Sequence, residues 1–242
     1  MDGLSLVLFL IATFVGGAVS GLAGFAFGLV VSGIWLHVVT PVEFAVLIVL
    51  SGLITQGYGI WKVRHSLEWR KVAPFVIGGA VGVPAGTALL AYSDPAALRI
   101  GIGVLLILYS LYNLTRPAVA PVRAGLPADL GIGVANGMLG GLTGLGGVIV
   151  TVWCQVRGGP KDAQRAIYQP VLFATFVMTT ISLSFAGAVT MATMKLFLFS
   201  LPALIAGLWI GVRLYGKLDD AAFRKVVLTL LLVSGAILVI PY

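Results

Sequence analysis

Apolar residues run through this chain in long blocks, separated by short clusters of charged residues and proline. Cutting at those clusters leaves apolar segments near 4–36, 42–60, 73–92, 97–114, 129–154, 166–187, 195–214 and 222–240. About 20 apolar residues make one membrane-spanning helix. The pattern therefore predicts an all-α polytopic membrane protein with almost no extramembrane mass. One stretch, 116–128, has the proline-rich composition of a linker, and it falls almost at the middle of the chain. It divides the chain into a first membrane repeat over 1–115 and a second over 129–242, each with about four hydrophobic segments.

The halves resemble one another. Gly17-x-x-x-Gly21-Leu22-x-Gly24 matches Gly137-x-x-x-Gly141-Leu142-x-Gly144, and Asp94-Pro-Ala96-Ala97-Leu98-Arg99 matches Asp219-Asp-Ala221-Ala222-Phe223-Arg224. Between these pairs, Gly78, Gly82 and Gly86 correspond to Ala203, Gly207 and Gly211. A small residue every four positions lets helix backbones approach closely. Three matches in the same order indicate an internal duplication.

Basic residues orient the copies. In the first half Lys62, Arg64, Arg70 and Lys71 follow the second segment, and only Arg99 lies in the neighbouring loops. In the second half Arg157, Lys161 and Arg165 occupy the first loop and Arg213, Lys217, Arg224 and Lys225 the third, with Lys195 alone in the second. Opposite orientations of the two halves place eleven of these residues on one side and two on the other, whereas parallel halves split them eight to five. Lys and Arg accumulate in cytoplasmic loops, so the repeats are expected to be inverted and the linker, with Arg116 and Arg123, cytoplasmic. Inversion needs an odd number of crossings per half. The first segment of each half is long and glycine-interrupted, at Gly16 through Gly28 and Gly137 through Gly147, and is expected to break there and re-enter or form a tight helical hairpin. Broken segments in corresponding positions of two inverted halves mark a transporter site near the midplane.

Composition supports this class. The chain is 60% hydrophobic and 10% charged, against about 25% charged in a soluble domain. Its net charge of +7 reads as membrane topology, so the bilayer, and no nucleic acid, is the expected surroundings. Met1-Asp2-Gly3 lacks the basic start of a cleavable signal peptide, so the first segment is expected to be retained. Cys154 is expected to be packing. Trp35, Trp61, Trp69 and Trp153 fall near segment ends, where an aromatic belt explains them.

The run Gly140 through Gly147 could end one half-helix and begin another, aiming free N–H groups and a helix N-terminus at an anion. Close helix packing explains the same glycines equally well. Gly21, Gly24, Gly141, Thr143, Gly144, Gly146 and Gly147 are the candidate substrate contacts at the two breaks. Arg165 could pair an oxyanion through two parallel hydrogen bonds, or anchor the segment at the headgroups. Gln56 and Gln169 are amides inside apolar segments, serving substrate or helix contacts. Pro170 and Pro202 are read as structural. Glu43 and Asp162 begin equivalent second segments and fit the helix dipole, although coupling to protons through them stays open. Every carboxylate lies at a segment end or in a loop, and His37 and His65 are too far apart in sequence to suggest a metal. No metal and no cofactor are expected.

Taken together, these residues resemble the TauE/SafE sulfite exporters, also called the toluene-sulfonate uptake permease family. The resemblance rests on Gly137-x-x-Gly140-Gly141-Leu142-Thr143-Gly144-Leu145-Gly146-Gly147, on Gln164-Arg165-Ala166-x-x-Gln169-Pro170 and on Gly78-Gly79-x-x-Gly82-Val83-Pro84-x-Gly86. Leu201-Pro202-Ala203-x-x-x-Gly207-x-x-x-Gly211 and Leu218-Asp219-x-x-x-Phe223-Arg224 fit as well. Val148 stands where the family often has proline, and the first copy reads Gly24-Phe25-Ala26-Phe27-Gly28, so that copy is expected to bind less of the substrate, or none. The resemblance implies a secondary carrier of sulfite or organosulfonates in the cytoplasmic membrane, working by alternating access. The residues themselves support an inverted-repeat carrier for a small anion, with a carboxylate or another small anion as the alternative cargo. An intramembrane enzyme is disfavoured, because deep segments carry no Ser/His or paired-Asp constellation. A passive channel and a structural subunit remain open, as does a homodimer built on the small-residue faces.

Overall fold

The computed structural model describes residues 3–115, 122, 124–158, 161–214 and, near the end of the chain, 228–229, 232–233, 235–236 and 239. Nine α-helices lie among the described residues: α1 (Gly3–Ala23), α2 (Phe27–Val38), α3 (Pro41–Val63), α4 (Trp69–Leu90), α5 (Pro95–Thr115), α6 (Leu126–Thr143), α7 (Val148–Arg157), α8 (Lys161–Phe185) and α9 (Met191–Leu214). No strand occurs among them. Five helices, α1, α3, α4, α8 and α9, are long and apolar enough to cross a membrane. The expected segment 222–240, the Asp219 to Arg224 motif and linker residues Arg116 and Arg123 lie largely or wholly outside the described residues. At the end of the linker α6 starts at Leu126, because Pro127 fits the first helical turn, where its missing N–H costs nothing.

Local chemistry sets the other boundaries. Thr40 and Glu43 form a capping box at the start of α3, the Thr40 hydroxyl accepting from the Glu43 N–H and the Glu43 carboxylate accepting from the Thr40 N–H. Pro170 and Pro202 sit inside continuous helices.

Helices α1 and α6 end alike. The Gly24 N–H donates to the Ser20 carbonyl and the Gly144 N–H to the Gly140 carbonyl, both at 2.8 Å. Gly24 and Gly144 have φ of 76° and 75°, the left-handed conformation that glycine adopts without a Cβ clash. After each, the chain turns back as a second, shorter helix. Trp35 of α2 donates Nε1–H to the Phe9 carbonyl of α1 at 3.3 Å and stacks on the Phe9 ring. Trp153 and Arg157 of α7 reach Asp129 of α6. In both cases the end of the short helix lies beside the start of the long one, so α1–α2 and α6–α7 are antiparallel hairpins.

The hairpins dock across the halves. The two most extensive helix contacts are α4 on α6 and α1 on α9, and α3 packs on α8. Exchanging the halves exchanges the first two pairs and returns the third to itself. Small residues make these contacts. A Cβ on Gly17 would stand 2.7 Å from the Leu204 carbonyl oxygen and 3.1 Å from the Leu208 nitrogen. One on Gly207 would meet the Phe14 carbonyl, and Gly78, Gly82 and Gly86 press on the Leu130, Val134 and Met138 carbonyls. The small-residue stripes thus face inward, helix to helix.

Two tryptophans depart from the aromatic-belt expectation. Trp61 and Trp69 are exposed, but Trp35 is fully buried and Trp153 is bonded to Asp129, because each closes a hairpin. Cys154 is buried and unbridged.

Gly17→Ala is expected to destabilise the protein by about 1–3 kcal/mol, since backbone rather than a flexible side chain must yield. Gly101→Ala, where nothing lies within 4 Å, is expected to gain about 0.5–1 kcal/mol from helix propensity. Thermal unfolding in detergent measures both.

Candidate functional site

The two interruptions meet at one cavity. Phe25, Ala26, Phe27, Gly28 and Leu29 line it from the first, and Gly144, Leu145, Gly147 and Val148 from the second. Helix α3 contributes Ile48, Gly52, Thr55 and Gln56, and α8 contributes Leu172 and Phe176. The free volume is about 30 Å³, room for a water or two or an ion of a few atoms. Its walls are mostly apolar, and none of the lining side chains carries a charge.

The N-termini of α2 and α7 both begin at this cavity. No side chain caps α2, whose first N–H groups belong to Phe27, Gly28 and Leu29. Ala26, at its N-cap, has φ of 75° and is the single non-glycine residue with positive φ among the described residues. That conformation costs an L-residue roughly 1–2 kcal/mol. Strain of this kind tends to collect at functional sites.

The second interruption is held more firmly. Asn136, buried in α6, donates Nδ2–H to the Gly146 carbonyl at 2.6 Å and accepts the Val150 N–H on Oδ1 at 3.3 Å. Its amide also reaches Thr175 Oγ1 at 3.4 Å. Thr143 Oγ1 donates to the Leu139 carbonyl at 2.7 Å and accepts from the Leu145 N–H at 3.1 Å. At the offset of the glycine motif, Asn136 corresponds to Gly16, which only packs against Val31 and Phe27.

Of the ten residues expected to contact substrate, Gln56, Gly144 and Gly147 line the cavity. Gln56 is 2% exposed and its Oε1 accepts no hydrogen bond. Gly21 and Gly141 lie in the helix contacts, against the Leu208 carbonyl and against the Thr87 nitrogen and Val83 carbonyl. Gly146 faces Thr175 and Gly140. Arg165, Gln169 and Gly24 come together instead beside the cavity. Arg165 donates Nη2–H to the Leu22 carbonyl at 3.0 Å, and a Cβ on Gly24 would stand 2.7 Å from Gln169 Nε2 and 3.4 Å from the Tyr168 hydroxyl. Helix α8 of the second half thus grips the first interruption, with Arg165 satisfying a carbonyl at the end of α1. The side chain of Asp162 lies outside the described residues.

Sequence reasoning missed Asn136 and Asp129. A lone amide between Ala135 and Gly137 was the available signal for the first. Asp129 stands at a segment start, as expected, yet it is buried by the returning α7. It accepts from Trp153 Nε1 at 2.8 Å and pairs with Arg157 Nη1 at 2.9 Å. Arg157 also donates to the Ala124 carbonyl. The pair borders a second cleft of about 470 Å³, rimmed by Arg70, Lys71, Arg157 and Gln164. A basic mouth of this kind concentrates small anions.

The family model described as Sulfite exporter TauE/SafE matches residues 8–238, nearly the whole chain. The chain belongs to this family. No curated protein and no solved structure matches it. Membership makes this chain one of a family of membrane transporters, in keeping with its apolar helices.

Asn136→Ala leaves a buried N–H and a buried carbonyl without partners, at about 1–3 kcal/mol each. Its melting midpoint is expected to fall by several degrees. Asp129→Asn keeps the shape but breaks a charge-assisted pair worth about 1.5–3 kcal/mol, and thermal unfolding at low and high salt is expected to show a loss that shrinks as salt rises.

Proposed function

We propose that this protein is a secondary carrier of small sulfur-containing anions, sulfite or organosulfonates, that binds them in the cavity between the two helix interruptions. The observation that carries this reading is the convergence of two helix N-termini on one small uncharged space, beside the buried Gln56 amide whose Oε1 accepts no hydrogen bond. Each helix N-terminus presents about half a positive charge, and free backbone N–H groups are ready donors to oxyanions. The substrate class follows from the family's description as sulfite exporters.

In this reading Gln56, Gly144, Gly147 and the first turns of α2 and α7 contact the anion. Arg165, Gln169 and Gly24 hold the first interruption in position, and Thr143 and Gly146 hold the second. Gly21 and Gly141 set how deeply the hairpins dock.

The two halves are inverted in the membrane. Support comes from the hairpins, which add no net crossing, so that α3, α4 and, taken as a third crossing, the shorter apolar stretch of α5 give an odd number before the linker. The basic residues favour the same orientation, with the linker cytoplasmic and the protein in the cytoplasmic membrane. Two opposed hairpins meeting at one cavity fit alternating access, in which each hairpin in turn opens a path from its own side.

Purified protein in proteoliposomes is expected to take up labelled sulfite and methanesulfonate faster when unlabelled anion is present inside, the mark of a carrier. Gln56→Leu is expected to slow sulfite exchange about tenfold, the loss of roughly 1.4 kcal/mol of polar contact. Uptake indifferent to internal anion would indicate a channel, and no uptake of either anion by folded protein would remove the sulfur-anion assignment.

A further inference from the structure

We infer that the cavity takes its oxyanion as a monoanion, sulfite therefore in its protonated form, and excludes the dianion, an inference that rests on the anion-carrier reading above. The first ground is charge. The N-termini of α2 and α7 together supply about one positive charge, and no lining residue adds another. Doubling the anion's charge doubles its attraction to those helix ends but quadruples the Born cost of leaving water for an apolar space. A monoanion is matched and a dianion is not.

The second ground is independent of charge. Gln56 lines the cavity, is 2% exposed, and has an Oε1 with no donor. A buried acceptor without a partner costs free energy, and an O–H on the bound anion satisfies it. Hydrogen sulfite carries that O–H; the fully deprotonated dianion has no donor to offer. Each turnover then moves one proton on the substrate itself.

Among the described residues, no protein group is placed to titrate in its stead. Asp, Glu, His, Lys, Arg, Cys and Tyr are all absent from the lining. On the lining elements, the described titratable groups stand elsewhere: His37 on α2, Glu43 and Tyr58 on α3, Cys154 and Arg157 on α7, Arg165 and Tyr168 on α8. Arg165 and Tyr168 turn to Gly24, and Arg157 to Asp129 on α6. Further out lie Lys195 and Arg213 on α9, Tyr109 and Tyr112 on α5, Arg70 and Lys71 on α4, and Arg64 and His65 in the turn after α3, while α1 carries none. The side chains of Lys62, Arg99, Lys161 and Asp162 are outside the described residues.

The test is exchange in proteoliposomes at equal pH on both sides, with methanesulfonate trapped inside and labelled sulfite, methanesulfonate or sulfate outside. Sulfite uptake at fixed total concentration is expected to fall about tenfold per pH unit above the second pKa of the acid, following the protonated fraction. Methanesulfonate, a permanent monoanion, is expected to show a flat profile, and sulfate, a dianion throughout, to be left outside. Gln56→Leu is expected to lower the ratio of sulfite to methanesulfonate rates about tenfold below that pKa. A flat sulfite profile, or sulfate exchanged as fast as methanesulfonate, overturns the inference and leaves the carrier standing. A methanesulfonate rate that also falls with pH overturns it by showing that the protein titrates. If no anion exchanges, the carrier reading fails and this inference falls with it.

Discussion

A helix broken at membrane depth exposes backbone N–H and C=O groups that no lipid can satisfy, so the break survives only if protein or cargo partners them. In this structure the chain is interrupted twice, after α1 and after α6, and each interruption frees backbone groups. At the second break Thr143 and Asn136 pair the groups freed around Leu145, Gly146 and Val150. At the first, Arg165 reaches across from the other half to the Leu22 carbonyl. The cavity where the two interruptions meet is lined by one buried acceptor with no donor, Gln56 Oε1.

Burying the breaks that fully requires the hairpins to dock without side chains in the way. Helices α1 and α9, and α6 and α4, touch through glycine and carbonyl rather than through interdigitating side chains. Because each hairpin docks on a helix of the opposite half, neither half can complete its own interruption alone. Dispersion at close backbone approach is the main attraction available, since lipid tails solvate apolar side chains as well as other helices do.

Much of this is legible in the sequence. The spacing of Gly17, Gly21 and Gly24 against Gly137, Gly141 and Gly144 identifies corresponding stretches, because backbone demands allow few substitutes for glycine. The same spacing cannot separate Gly21 and Gly141, which pack, from Gly144, which borders the cavity: a missing side chain looks alike in either role. Trp35 escapes the aromatic-belt reading because its partner Phe9 lies 26 residues away along the chain, and only the fold of the hairpin sets them level. Asp129 looks like an ordinary residue at a segment start for the same reason. Arg165 stands out as important, but its bond to Leu22 spans 143 residues and belongs to tertiary structure alone.

The two hairpins are fastened with different materials. One is closed by the aromatic stack of Phe9 and Trp35, the other, at the corresponding level, by the ion pair of Asp129 and Arg157 with Trp153. The two fastenings respond to different conditions: the aromatic one to temperature, the ionic one also to salt. In a carrier whose two hairpins open in turn, unequal fastenings mean unequal resting populations, and each kcal/mol between them shifts the ratio about fivefold. On the proposed alternating-access reading the molecule would be a lopsided balance, poised by default toward one compartment, and this would set how fast it picks up cargo from either side without altering where the cargo finally equilibrates.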